Sequence, residues 1–128
     1  MAHVLARIGE TDYAVSLTAG NHQLTADEPP HLGGKDAGLA PYDLLLASLG
    51  ACTAITLRMY AKRKQWTVHS VLVDLRFERE KDSAHIDRTI TIEGEVTDDQ
   101  CARMLEIAEK TPVTLTLKAG TPINTRLG

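Results

Sequence analysis

Hydrophobic and polar positions recur with two different periods along the chain. Residues 4–9 and 13–18 are short runs carrying β-branched side chains, and Gly9-Glu10-Thr11-Asp12 between them is turn chemistry, which predicts a strand, a tight turn and a second strand. A third strand is predicted at 22–26 after Gly20-Asn21. The stretch 27–38 has no period at all, and a loop of that length inside a compact domain usually has a task or is mobile. Pro41 then opens a long helical segment, since proline suits the first helical turn. The segment runs to Lys64 and ends in Lys62, Arg63 and Lys64, which complement the negative end of the helix dipole. At 1.5 Å per residue such a helix is about 36 Å long.

The period returns to two afterwards. Val71, Val73, Leu75 and Phe77 alternate with Leu72, Asp74, Arg76 and Glu78, and Ile86, Ile90, Ile92 and Val96 alternate with Asp87, Thr91, Glu93 and Glu95. Lys81-Asp82-Ser83 is the predicted hairpin tip. Thr97-Asp98-Asp99-Gln100 has the form of a capping box and starts a helix through Ala102, Leu105, Ile107 and Ala108. Thr111-Pro112 starts a short helix ending near Gly120, and 123–127 is predicted as a final strand. The length of the chain is that of one compact domain, over 1–128.

Composition narrows the function classes. With 43% apolar residues, 24% charged residues and a net charge of −3, the chain of 128 residues has the makings of a folded core and no basic footprint for nucleic acid or an anionic membrane. The uncharged run 44–57 is shorter than the ~20 residues a membrane span needs, so it belongs in a protein core, and being apolar all round it calls for burial on every side. One subunit of this size has few faces with which to cover such a helix. The pattern therefore points to a homodimer with buried central helices. The amino terminus lacks a secretory signal and the two cysteines are too few for a disulfide scaffold, so a cytoplasmic protein with reduced thiols is expected.

Most motifs reduce to structure. Gly34-Lys35 is followed by Asp36 rather than a hydroxyl residue and has Pro29 where a phosphate loop needs its first glycine. The five histidines (3, 22, 31, 69 and 85) show no metal-ligand spacing, so neither a metal nor a cofactor is expected. Cys52 is the remaining candidate for chemistry. A cysteine within an apolar helix is more often a small buried hydrophobe than a nucleophile, and it gains nothing there from the helix dipole. Ser48, Cys52 and Thr56 nevertheless recur four residues apart and form a narrow polar stripe, which also suits close helix packing.

The segment Gly38-Leu39-Ala40-Pro41-Tyr42-Asp43-Leu44-Leu45-Leu46-Ala47-Ser48-Leu49-Gly50-Ala51-Cys52-Thr53-Ala54-Ile55-Thr56-Leu57 resembles the central helix of the OsmC/Ohr family, the osmotically inducible and organic hydroperoxide resistance proteins. Residues 22–29 and Glu106-Ile107-Ala108-Glu109-Lys110-Thr111-Pro112-Val113 fall in that family's order too. The resemblance implies an α+β fold of mostly antiparallel sheets around a long central helix, in an intertwined homodimer. It also implies a thiol peroxidase acting on organic hydroperoxides, in which a helix cysteine becomes a sulfenic acid and a second cysteine before a proline resolves it. Cys52 matches the first cysteine. The second position is Thr111, and Cys101 stands ten residues earlier, so no disulfide between Cys52 and Cys101 is expected. The family's glutamate after the helix-opening proline corresponds to Tyr42, with Asp43 next to it. Its hairpin arginine falls at Glu10, with Arg7 the nearest substitute. On one straight helix, nine residues put Asp43 about 14 Å from Cys52 and on the opposite side, so it can serve that thiol only from a second subunit or through a break in the helix.

Three functions stay open on these residues. One is a peroxidase with Cys52 as nucleophile, helped by Arg7 and Asp43. Another is a protein of the same fold that binds a small apolar or thiol-bearing ligand, in a pocket drawn from Tyr42, Ser48, Thr56 and Thr111. The third is an accessory partner of another enzyme.

Overall fold

The computed structural model describes all residues, Met1–Gly128. The chain is α+β, with two antiparallel sheets, one long helix and two short ones. It forms two compact units, residues 1–45 and 46–128.

The first unit is a three-stranded meander of β1 (Leu5–Ile8), β2 (Val15–Ala19) and β3 (His22–Ala26). Arg7 pairs with Ser16, and Ser16 with Thr25, so these three share one cross-strand row. Beyond β3 the backbone makes one 3-10 turn, Pro30–Leu32, and returns to form a parallel bridge between Ala26 and Leu39. The return is tight at Gly38, where a Cβ would stand 1.8 Å from the Thr25 carbonyl oxygen. The aperiodic stretch is an ordered clasp closed by Asp27. Its buried carboxylate accepts the amide N–H groups of Glu28 (2.7 Å), Lys35 (3.2 Å) and Ala37 (3.1 Å). Burial opposes ionisation of this carboxyl, but the Ala37, Glu28 and Lys35 amides and the Lys35 charge outweigh it and hold the group below the ordinary carboxylate range.

The helix α1 (Pro41–Lys64) has the predicted bounds. It ends in a left-handed residue, Gln65 at φ +61°, with the Trp66 amide bonded back to the Ala61 carbonyl at 2.9 Å. Trp66 then meets Tyr60 edge to face at 5.5 Å, the apolar contact that accompanies such a cap. The hairpin of β4 (Thr67–Arg79) and β5 (Ala84–Glu95) follows, with Val71 opposite Ile92, Val73 opposite Ile90, Leu75 opposite Arg88 and Phe77 opposite Ile86. These in-phase side chains are half-buried, whereas the intervening ones are exposed. Gly50 lets α1 approach the hairpin, since a Cβ there would lie 2.8 Å from Leu75 Cδ1. The core gathers Leu57, Tyr60 and Ala61 from α1, Val68 from β4 and Met104 from α2 (Asp98–Ala108), with Ile90, Ile92, Val96 and Ile107 packed against it. The last helix, α3 (Pro112–Ala119), begins at Pro112 as predicted.

One expectation needs correction. Residues 123–127 form no strand, and Ile123 and Leu127 are almost fully exposed. Pro122 offers no amide to a ladder, and β-propensity without a paired neighbour makes no sheet. Within one chain the uncharged part of α1 is not covered on every side. The buried positions of the whole helix are Leu49, Thr53, Leu57, Tyr60 and Ala61, one face of it, while Ile55 and Met59 are 59% and 67% exposed. By length and composition alone α1 would suffice to cross a membrane, a test that core helices of soluble proteins also pass.

Candidate functional site

The buried face of α1 carries a threonine, Thr53, next to Cys52. The Thr53 hydroxyl donates to the Leu49 carbonyl at 2.7 Å, one helical turn back. It also accepts a hydrogen bond from Arg88 Nη1 at 2.9 Å. Arg88 projects from the inward face of β5, in phase with Ile86 and Ile90, and its side chain is 12% exposed.

The same guanidinium ties together the junction of α2 and α3. Arg88 Nη1 donates to Thr114 Oγ1 at 2.9 Å, and Nη2 donates to the Ala108 carbonyl at 3.0 Å, the last residue of α2. The Thr114 hydroxyl also donates to the Ala108 carbonyl, at 3.2 Å. Having committed its single proton there, Thr114 accepts the 2.6 Å bond from the Thr111 hydroxyl. Thr111 and Thr53 are fully buried. The nearest carboxylate to Arg88 is Glu109, 4.0 Å away and 59% exposed. Glu109 is held below the ordinary carboxylate range by a hydrogen bond and charge from Lys118, with a smaller contribution from Arg88. Arg88 is thus satisfied mainly by neutral oxygens.

The position before Pro112 therefore carries a hydroxyl built into a structural cluster. Of the expected site residues, only Thr111 belongs to this cluster, and Cys52 adjoins it through the peptide bond to Thr53. Cys52 and Cys101 are both free and half-buried. In the polar stripe, Ser48 is exposed and Thr56 is half-buried. Arg7, Tyr42 and Asp43 belong to the first unit. There Asp43 lines a cavity of about 370 Å³ with Asp27, Asp36 and Leu39, while Arg7 lines another of about 260 Å³ with Glu10, Ser16 and Thr25. Tyr42 is 46% exposed. No group of three His, Cys, Asp or Glu side chains is placed to hold a metal ion.

Sequence reasoning missed Arg88, Thr53, Thr114 and Asp27. Arg88 did have a signal, because it stands in the apolar register of β5 between Ile86 and Ile90, where a cation is out of pattern. Thr53 and Thr114 had none beyond being small and polar.

Comparison with known proteins agrees with this architecture. No match to a curated protein is found. An OsmC-like protein from Mycoplasma pneumoniae superposes with a TM-score of 0.80 at 21% identity, covering 92% of this chain and 87% of the other. An organic hydroperoxide resistance protein OsmC from Legionella pneumophila gives 0.66 at 15% identity, covering 92% and 89%. A Vibrio cholerae organic hydroperoxide resistance protein, with captopril bound in one of its active sites, gives 0.63 at 12% identity, covering 91% and 84%. Identities this low speak for the fold. Residues 33–126 match the model of OsmC-like proteins, and the chain belongs to that family.

Proposed function

We propose that the protein is a cytoplasmic, homodimeric thiol peroxidase of the OsmC type, one domain per chain, with Cys52 as its nucleophile and no metal or cofactor. The observation that carries the form of the cycle is the bonded, buried hydroxyl of Thr111 where the family's resolving cysteine would stand. In this cycle the Cys52 thiolate attacks the distal oxygen of an organic hydroperoxide. The O–O bond breaks, an alcohol leaves after protonation, and Cys52 becomes a sulfenic acid. An external thiol then attacks that sulfur and expels water, giving a mixed disulfide. A second thiol releases Cys52 and leaves as part of the oxidised reductant. One hydroperoxide and two thiols yield one alcohol, one water and one disulfide.

Arg7 and Asp43 are the charged groups offered to this thiol across the dimer, and Tyr42, Ser48 and Thr56 the walls of its pocket. The dimer itself is supported by the uncovered apolar side of α1. Ile55 and Met59, with Ala54, Arg58 and Val71, line an open groove of about 320 Å³.

The same Thr111 also favours a second reading, a non-peroxidase member that binds a small apolar or thiol-bearing ligand beside Cys52. The captopril held by the Vibrio cholerae relative fits that reading. The two part in one assay, consumption of cumene and tert-butyl hydroperoxides with dithiol and monothiol reductants. The peroxidase reading expects turnover by the parent protein and loss to background in Cys52→Ser. Background rates for both leave the binding reading, which then expects a thiol ligand to protect Cys52 from alkylation.

A further inference from the structure

A guanidinium is planar and presents its donors in a fixed geometry, so three acceptors from three separate elements over-determine its position. Arg88 has such a set in Thr53 Oγ1 on α1, the Ala108 carbonyl at the end of α2, and Thr114 Oγ1 on α3. It is also nearly buried with only a distant carboxylate. A buried cation contributes little net stability compared with an apolar side chain of similar volume. The neighbours in register, Ile86 and Ile90, show what this face carries otherwise. Stability alone therefore explains the arginine poorly.

The contact with α1 falls at an informative place. The Thr53 hydroxyl bonds back onto the Leu49 carbonyl, a contact that competes with the regular helical ladder and adjusts the turn between them. Cys52 lies in that turn. Consecutive helical residues differ by about 100° and 1.5 Å, so any rotation or slide at Thr53 is passed directly to the thiol.

We propose that Arg88 is a positioning residue for Cys52, holding the turn of α1 that carries the thiol through its bond to Thr53 while anchored on Ala108 and Thr114. The proposal rests on Cys52 being the reactive thiol, but not on a hydroperoxide being its partner.

The test follows both cysteines by peptide mass spectrometry in Arg88→Met, Thr53→Val and Thr53→Ser. Oxidation of Cys52 by cumene hydroperoxide, trapped as the dimedone adduct of its sulfenate, is expected to slow about tenfold in Arg88→Met and Thr53→Val, as befits a small misplacement of a reacting atom. Labelling of Cys52 by a bulky maleimide is expected to quicken in the same two variants, because the freed turn opens. Thr53→Ser keeps the hydroxyl and is expected to match the parent protein. Cys101 reports general loosening and should not change. Lost stability would quicken labelling at both thiols together, so slower oxidation with faster labelling at Cys52 alone separates positioning from mere support. Unchanged Cys52 rates in Thr53→Val, or Cys101 moving in step with Cys52, overturn the proposal. Should the parent protein resist hydroperoxide, the peroxidase reading fails and the maleimide rates decide by themselves. Selective acceleration at Cys52 in Thr53→Val, reversed in Thr53→Ser, then carries the proposal, and uniform labelling sinks it.

Discussion

Asp27 is the side chain on which the 27–38 segment depends. Three amide N–H groups converge on its carboxylate, and hydrogen bonds to an ionised acceptor are the stronger kind. Its folded pKa lies below the ordinary 3.8, so its contribution to stability is present in full above that value and is lost as the pH falls through the folded one. Asp27→Asn should therefore be less stable than the parent at pH 7, with the difference shrinking as the pH is taken below about 4. Urea denaturation midpoints across this range check it, and a constant difference at all pH values would contradict the assignment. Arg88 makes the complementary point. Its position in the strand pattern was visible, but the identity of its acceptors required Thr53, Ala108 and Thr114 to meet, and no local rule brings residues so far apart in sequence together.

Elements were the most legible level, because helix caps and periods are local. Pro41 at the start and three cations at the end bounded α1 correctly. The capping box formed as read, with the Thr97 hydroxyl accepting from the Gln100 amide at 3.1 Å and the Gln100 side chain accepting from the Thr97 amide at 2.9 Å. Thr97→Ala should cost about 1 kcal/mol, measurable in thermal or urea unfolding, while Thr97→Ser should retain most of the cap. The failure at 123–127 has the opposite cause. A strand is not a local object, and Ile123 has the right propensity without an edge to pair with in this chain.

For the whole molecule, the decisive quantity is the apolar surface that one chain leaves open on α1. Covering an exposed Ile or Met side chain contributes about 1.5–3 kcal/mol, and Ile55 and Met59 stand together on the groove with Ala54 and Val71. Light scattering at micromolar concentration should accordingly give twice the 14.0 kDa chain mass. Met59→Glu should shift the population towards monomer without unfolding the β4–β5 hairpin, since Met59 lies outside the buried core. A monomer for the parent protein would remove the dimer from the proposed function.

The α+β class, the bounds of α1, the β4–β5 alternation, the capping box of α2, the start of α3 at Pro112 and the family, through the Pro41–Cys52 motif, were all legible in the chain itself. Each of these is written within a few turns of chain, where period, propensity and hydrogen-bonding partners are neighbours. Folding had to bring separate groups together before the aperiodic 27–38 stretch became a clasp around one buried carboxylate and before Thr111 bonded to Thr114. The structure alone likewise joined Arg88 to the residue beside Cys52. Those outcomes depend on polar groups that must find partners once buried, and the partners come from wherever the fold places them.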